Sequence, residues 1–84
     1  MDPVKVLQRA YQDELLDALR AEGAAQGVTY PHVRALLLEV ARRERAHAEA
    51  LAEALRRRGA PLPPTPKPEE GGWETLLRLL SEEG

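Results

Sequence analysis

The chain has no cysteine, no phenylalanine and no asparagine. Without cysteine, disulfides, thiol catalysis, zinc ribbons and Cys-ligated iron–sulfur clusters are excluded. Aromatic residues make up only 4%, and the 43% hydrophobic fraction is mostly Leu and Ala. A lone chain of 84 residues built this way makes a thin core, so self-association is expected. Neither sign of charge dominates. Twelve basic residues against fourteen acidic give −2, which argues against nucleic acid or an anionic membrane as the main partner. No apolar run approaches the roughly 18 residues needed to span a bilayer. The start, Met1-Asp2-Pro3-Val4-Lys5, lacks the basic and then apolar pattern of a secretory leader, and a cytoplasmic location is expected. Lysine is scarce: ten Arg stand against two Lys. That balance fits a heat-adapted protein, and GC-rich coding alone would also produce it.

What is present reads as helix. Asp2-Pro3 is a helix opening, an oxygen-bearing cap followed by proline in the first turn. A first helix is predicted from there to Gln26, with Gly27 as a left-handed stop and Gly23 as a rival. Val28-Thr29-Tyr30 is a short connection. Pro31 opens a second helix that runs to Arg58 without internal Gly or Pro, and Gly59 followed by Pro61 ends it. The two helices would be about 36 and 42 Å long. So short a connection makes them antiparallel, as a helical hairpin spanning residues 1–59. Residues 60–72 form a Pro/Gly-rich linker whose stretch 61–68 is an extended, polyproline-like spacer about 25 Å long. In 73–84, Trp73, Leu76, Leu77 and Leu80 share one face of a short amphipathic helix. Such a helix is too short to stand alone. It is expected to dock on its own hairpin, on a neighbouring subunit or on a separate protein partner, with Trp73 as anchor.

The inner face of the hairpin carries the chemistry. On a helical wheel, Val33, Leu37, Val40, Leu51 and Ala54 form an apolar stripe with alternating spacings of four and three. Its two missing members are Glu44 and His47. Arg34, Arg42, Arg45, Glu49 and Glu53 mark the opposite, polar side. On the first helix Val4, Leu7, Tyr11, Leu15 and Ala18 mark the apolar arc, and Glu14 lies within it. A carboxylate on a core face is costly unless its charge is compensated. Glu14 and Glu44 are equally distant from Thr29 at the turn, so they face each other at one height. His47 is one turn further on, pointing to the same side as Glu44.

One hairpin therefore supplies two carboxylates and one imidazole, which is half of a dinuclear site. Two hairpins about a two-fold axis supply four Glu and two His, and four carboxylates balance two divalent cations. Oxygen-rich ligation with one imidazole per metal favours iron or manganese over structural zinc. The expected partner is thus a second copy, in a homodimer or a larger even homo-oligomer, and the expected metal ligands are Glu14, Glu44 and His47. Tyr11, one turn from Glu14, either hydrogen-bonds a ligand or packs in the core.

Glu14, the Glu44-x-x-His47 pair thirty residues on, and the run Glu44-Arg45-Ala46-His47-Ala48-Glu49-Ala50-Leu51 resemble the ferritin-like superfamily, especially its rubrerythrin-type branch. The resemblance covers residues 7–58. It implies an all-α fold, a hairpin that dimerises into a four-helix bundle, and a di-iron carboxylate site. With only half a bundle, the chain is similar to the short encapsulated ferritins, which assemble a ferroxidase site between subunits. The implied activity is oxidation of Fe(II) by O2 or peroxide, with Glu14, Glu44 and His47 as the catalytic set. Two departures stand out. Without cysteine there is no rubredoxin-type electron donor, so a self-contained peroxidase is not expected. The run Trp73-Glu74-Thr75-Leu76-Leu77-Arg78-Leu79-Leu80 does not match a Gly-Ser-Leu docking signal, which weakens the implied location inside a protein shell.

A reading of another class needs no metal. Glu14, Glu44 and His47 would then be a buried polar layer that sets register in a non-catalytic oligomerisation module. Metal storage or sensing without redox chemistry is a third. The remaining polar residues read as ordinary surface. Glu22 has only Leu36 at its height and is expected to be exposed. His32, Asp13 and Asp17 are solvated, and Arg56-Arg57-Arg58 complements a helix dipole.

Overall fold

The structure, a computed structural model, describes residues 1–68. The predicted helix over 73–84 lies outside them. The fold is all-α: α1 spans Pro3–Gly27 and α2 spans Pro31–Arg57, packed against each other as a hairpin. Among the described residues no helix is long and apolar enough to cross a membrane.

The helix ends follow local chemistry. Asp2 caps α1, its Oδ1 accepting from the Val4 amide at 3.0 Å. Gly59, at φ 65°, ends α2 in a Schellman arrangement. The Gly59 amide donates to the Arg56 carbonyl at 2.9 Å and the Ala60 amide to the Leu55 carbonyl at 3.0 Å. The other predicted stop works differently. Gly27 does not take the left-handed conformation, and the helix runs straight through Gly23. Instead Val28 turns extended, and Arg34 reaches back from α2 to the end of α1. Its Nε donates to the Ala25 carbonyl at 3.1 Å and its Nη2 to the Val28 carbonyl at 2.7 Å. α1 has no basic residue in its last turn, so this guanidinium supplies both the donors and the positive charge that the C-terminus lacks. The expectation that Arg34 belongs simply to the polar outer side is corrected accordingly.

The seam between the helices is made of alanine. Ala18, Ala21, Ala24 and Ala25 of α1 and Ala41, Ala48 and Ala52 of α2 are all buried, with Leu15, Leu55 and Val28 as the larger members. Small side chains let two helices approach closely. They bury little area, so the seam gains less than a leucine zipper would. The stripe expected to form the core of α2 is not the core. Val33, Leu37, Leu51 and Ala54 are half-buried, and Val40 is exposed. Leu36, beside them, is 65% exposed. The α2 stripe therefore forms the edge of an open apolar face rather than the sealed interior.

The Pro-rich segment is not a free spacer. Gln8 and Gln12, one turn apart on α1, donate from Nε2 to the carbonyls of Pro61 at 3.0 Å and Pro64 at 3.3 Å. Ala60, Pro63 and Pro66 are half-buried and the residues between them exposed. That period of three is the repeat of a polyproline helix. Two successive turns of the strap thus meet two successive turns of α1.

Candidate metal centre

Glu14 comes from the middle of α1, and Glu44 and His47 from successive turns of α2. The hairpin brings all three together: one ligand atom from each lies within 4.8 Å of the others. His47 Nδ1 is 3.5 Å from Glu14 Oε2, long for a hydrogen bond. Glu14 and Glu44 are half-buried. The His47 side chain is 61% exposed on the open face, against 31% for Glu14. The cluster is therefore a mouth at the edge of the seam. The expectation of three groups interrupting a closed core is corrected in this respect, because alanines elsewhere on the wheel make the closed contact.

The electrostatics match two carboxylates in one small space. Glu44 is pushed above its ordinary value of 4.5. Hydrogen bonding towards the Glu14 carboxyl is the main cause, then burial, then the Glu14 charge; the nearby His47 acts in the opposite sense. The Oε2 atom of Glu14 is buried and receives no hydrogen bond. An acceptor buried without a donor is destabilising. This donor set fits a divalent cation, which would satisfy the stranded oxygen, offset the crowding of the two carboxylates and accept an imidazole nitrogen.

The other residues singled out from the sequence fall outside the cluster. Tyr11 is half-buried one turn from Glu14, and among the described residues no hydrogen bond joins it to Glu14, Glu44 or His47. His32 is exposed, its ring 6.2 Å from that of Tyr30. Asp13 and Asp17 are exposed. Glu22 is not the solitary exposed residue expected. Arg45 grips it with both arms of the guanidinium, Nε at 2.7 Å and Nη2 at 2.6 Å. This contact holds Glu22 below its ordinary value and raises Arg45. Equal spacing from the turn pointed Glu22 at Leu36, but an arginine is long enough to reach well along its own helix. Arg45 thereby turns from the outer face to tie α2 to α1 beside the cluster. A glutamate with no partner at its own height and a long cation a few turns away was the available signal.

Comparisons with curated proteins and with solved structures find no match. The hairpin sets a carboxylate on one helix opposite a Glu-x-x-His pair on the next. A family model described as Rubrerythrin matches residues 5–72, a span that holds both helices and all three residues of the cluster, and the chain belongs to the rubrerythrin family.

Proposed function

We propose that two copies of this chain meet across the open α2 face and together hold a pair of iron ions, at which Fe(II) is oxidised by O2 or peroxide. The carrying observation is the gathering of Glu14, Glu44 and His47 at the mouth of a face that one chain leaves partly uncovered. Exposed Leu36 and Val40 and half-buried Val33 and Leu37 continue that face of α2 before the mouth, and half-buried Leu51 continues it beyond. Such a patch marks an interaction surface.

The stripe is also self-complementary. Antiparallel pairing of α2 with its copy, centred between Arg45 and Ala46, matches Val40 with the partner's Leu51 and Leu37 with the partner's Ala54. The same register matches Glu44 with the partner's His47. Apolar residues meet apolar ones, and the ionisable pair sits at the centre, as a two-fold interface requires. The doubled site has four carboxylates and two imidazoles, and Tyr11 of each chain stands one turn away to orient a ligand carboxylate through its hydroxyl.

Iron held by Glu14, Glu44 and His47 of both copies would supply one electron per ion to the oxidant. The chain's own groups do the rest. Glu14 and Glu44 would hold the cations through their carboxylates, so loading competes with protonation of Glu44. His47 fixes the open side through an imidazole nitrogen. The alanine seam keeps water from the back of the two carboxylates. Anaerobic Fe(II) titration tests this reading. The expected uptake is about one iron per chain, by the count of half a dinuclear site; it should vanish in Glu44→Ala. Unchanged uptake in that variant, or a melting temperature that neither chelator nor added Fe(II), Mn(II) or Zn(II) moves, would favour the non-catalytic oligomerisation module.

A further inference from the structure

We propose that residues 73–80 dock on their own hairpin, in the groove at the turn end of α1 and α2, and that the Pro-rich strap aims them there. The groove, of about 520 Å³, is lined by Glu22, Ala25, Gln26, Arg34 and Leu38. Pockets that receive a ligand span roughly 300–1,000 Å³. Leu38 is 43% exposed, a large apolar side chain that with Ala25 makes the apolar part of the wall.

The path of the chain leads to this place. α2 ends beside the start of α1, so a tail with no further contacts would leave at the end of the hairpin far from the groove. The strap reverses it. Pro61 is held at Gln8 and Pro64 at Gln12, so the strap climbs α1 towards the turn. At about 3.1 Å per residue, Pro68 lies about 12 Å beyond Pro64. That advance equals about eight residues of helix, from Gln12 to the height of Arg20. Gln26 lies about five whole turns from Gln8 and so on the same flank of α1. The groove is therefore straight ahead of the strap. Glu69-Glu70-Gly71-Gly72 then spans at most about 14 Å before Trp73.

Charge favours the same site. Residues 69–84 contain five of the fourteen acidic residues and one of the twelve basic ones, a net −4, which leaves +2 on the rest of the chain. Arg34 lines the groove and, among the described residues, is its one cation that no carboxylate offsets, since Arg45 is paired with Glu22 and Arg42 with Glu39. The strap lies roughly 120–160° around α1 from Glu14. Docking here leaves the face carrying Glu44 and His47 open, so the proposal does not depend on the metal reading.

Trp73 is the only tryptophan and reports on its own position. In the full chain its emission should be blue-shifted relative to free tryptophan and poorly quenched by acrylamide, at every protein concentration. Leu38→Glu should move the emission towards the solvent value and raise quenching, while the helical circular dichroism holds. Gln8→Ala with Gln12→Ala should give a smaller shift in the same direction. Solvent-like emission in the unmodified chain would overturn the proposal, as would emission indifferent to Leu38→Glu. A blue shift that fades on dilution would place the tail on a neighbouring copy instead and would also overturn it.

Discussion

The two sides of α2 are built by opposite means. Towards α1, Ala41, Ala48, Ala52 and Leu55 are buried almost completely. On the adjoining face, larger apolar residues, Leu36 and Val40 among them, stay open along the helix that carries Glu44 and His47. A small protein ordinarily buries its largest apolar side chains first. Here the small ones close the hairpin and several of the large ones are left for the face that would receive a second copy. The difference teaches that the sealed side provides shape and that the open side is left free for the association proposed above. The site lies on the boundary, where Glu14 and Glu44 are half in and His47 is mostly out.

The largest expected effect breaks the sealed side. Leu55 is fully buried, and Leu55→Ala should cost about 2–5 kcal/mol, a large part of the stability of so small a domain, read as a drop in urea midpoint. Val40→Asp should act on the open side alone. The single hairpin should lose no more than ~0.5 kcal/mol because Val40 is exposed, while the mass by light scattering should fall to that of one chain. If Val40→Asp unfolds the chain as Leu55→Ala does, the contrast between the sides is wrong.

Acid and base sharpen the contrast at the site. Glu44 is raised in the folded chain, so its contribution is fully present below its ordinary value of 4.5 and is lost as pH rises through the raised value. Metal-free protein should therefore lose stability as pH climbs out of the carboxylate range, and Glu44→Gln should flatten that part of the profile. Glu22 has the opposite sign. Its value is lowered by Arg45, so its contribution is present above 4.5 and lost as pH falls through the lowered value. The smallest effect belongs to this pair. Both side chains are partly exposed, and Glu22→Gln should cost only ~0.2–1 kcal/mol, diminished further by salt.

Much of the hairpin was legible because its signals are local. Asp2-Pro3, Pro31 and Gly59 act through capping and backbone preference within a few residues, and the structure uses each as a helix boundary. The cluster was legible because a three-residue connection leaves little freedom in how two helices align. Equal counts from Thr29 to Glu14 and to Glu44 translate directly into equal height. Gly27 was misread because its proposed role depended on what else could serve the end of α1. The donor, Arg34, comes from the other helix. Gln8 and Gln12 carried no signal of their own, since a glutamine pair one turn apart is ordinary until a proline segment lies across it.

The order of residues along the chain determined by itself that residues 1–68 form two helices, where these begin, that they run antiparallel, and that Glu14, Glu44 and His47 are neighbours. These depend on torsion preferences and helical periodicity, which act over a turn or two. Only tertiary structure decided which arc of each broad apolar face is sealed, that Arg45 reaches Glu22, that Arg34 closes α1, and that the strap returns along Gln8 and Gln12. A helical wheel gives angles about one axis. Side-chain size and the crossing of two axes select the contact, and the alanines won that contest because they let the helices come closest.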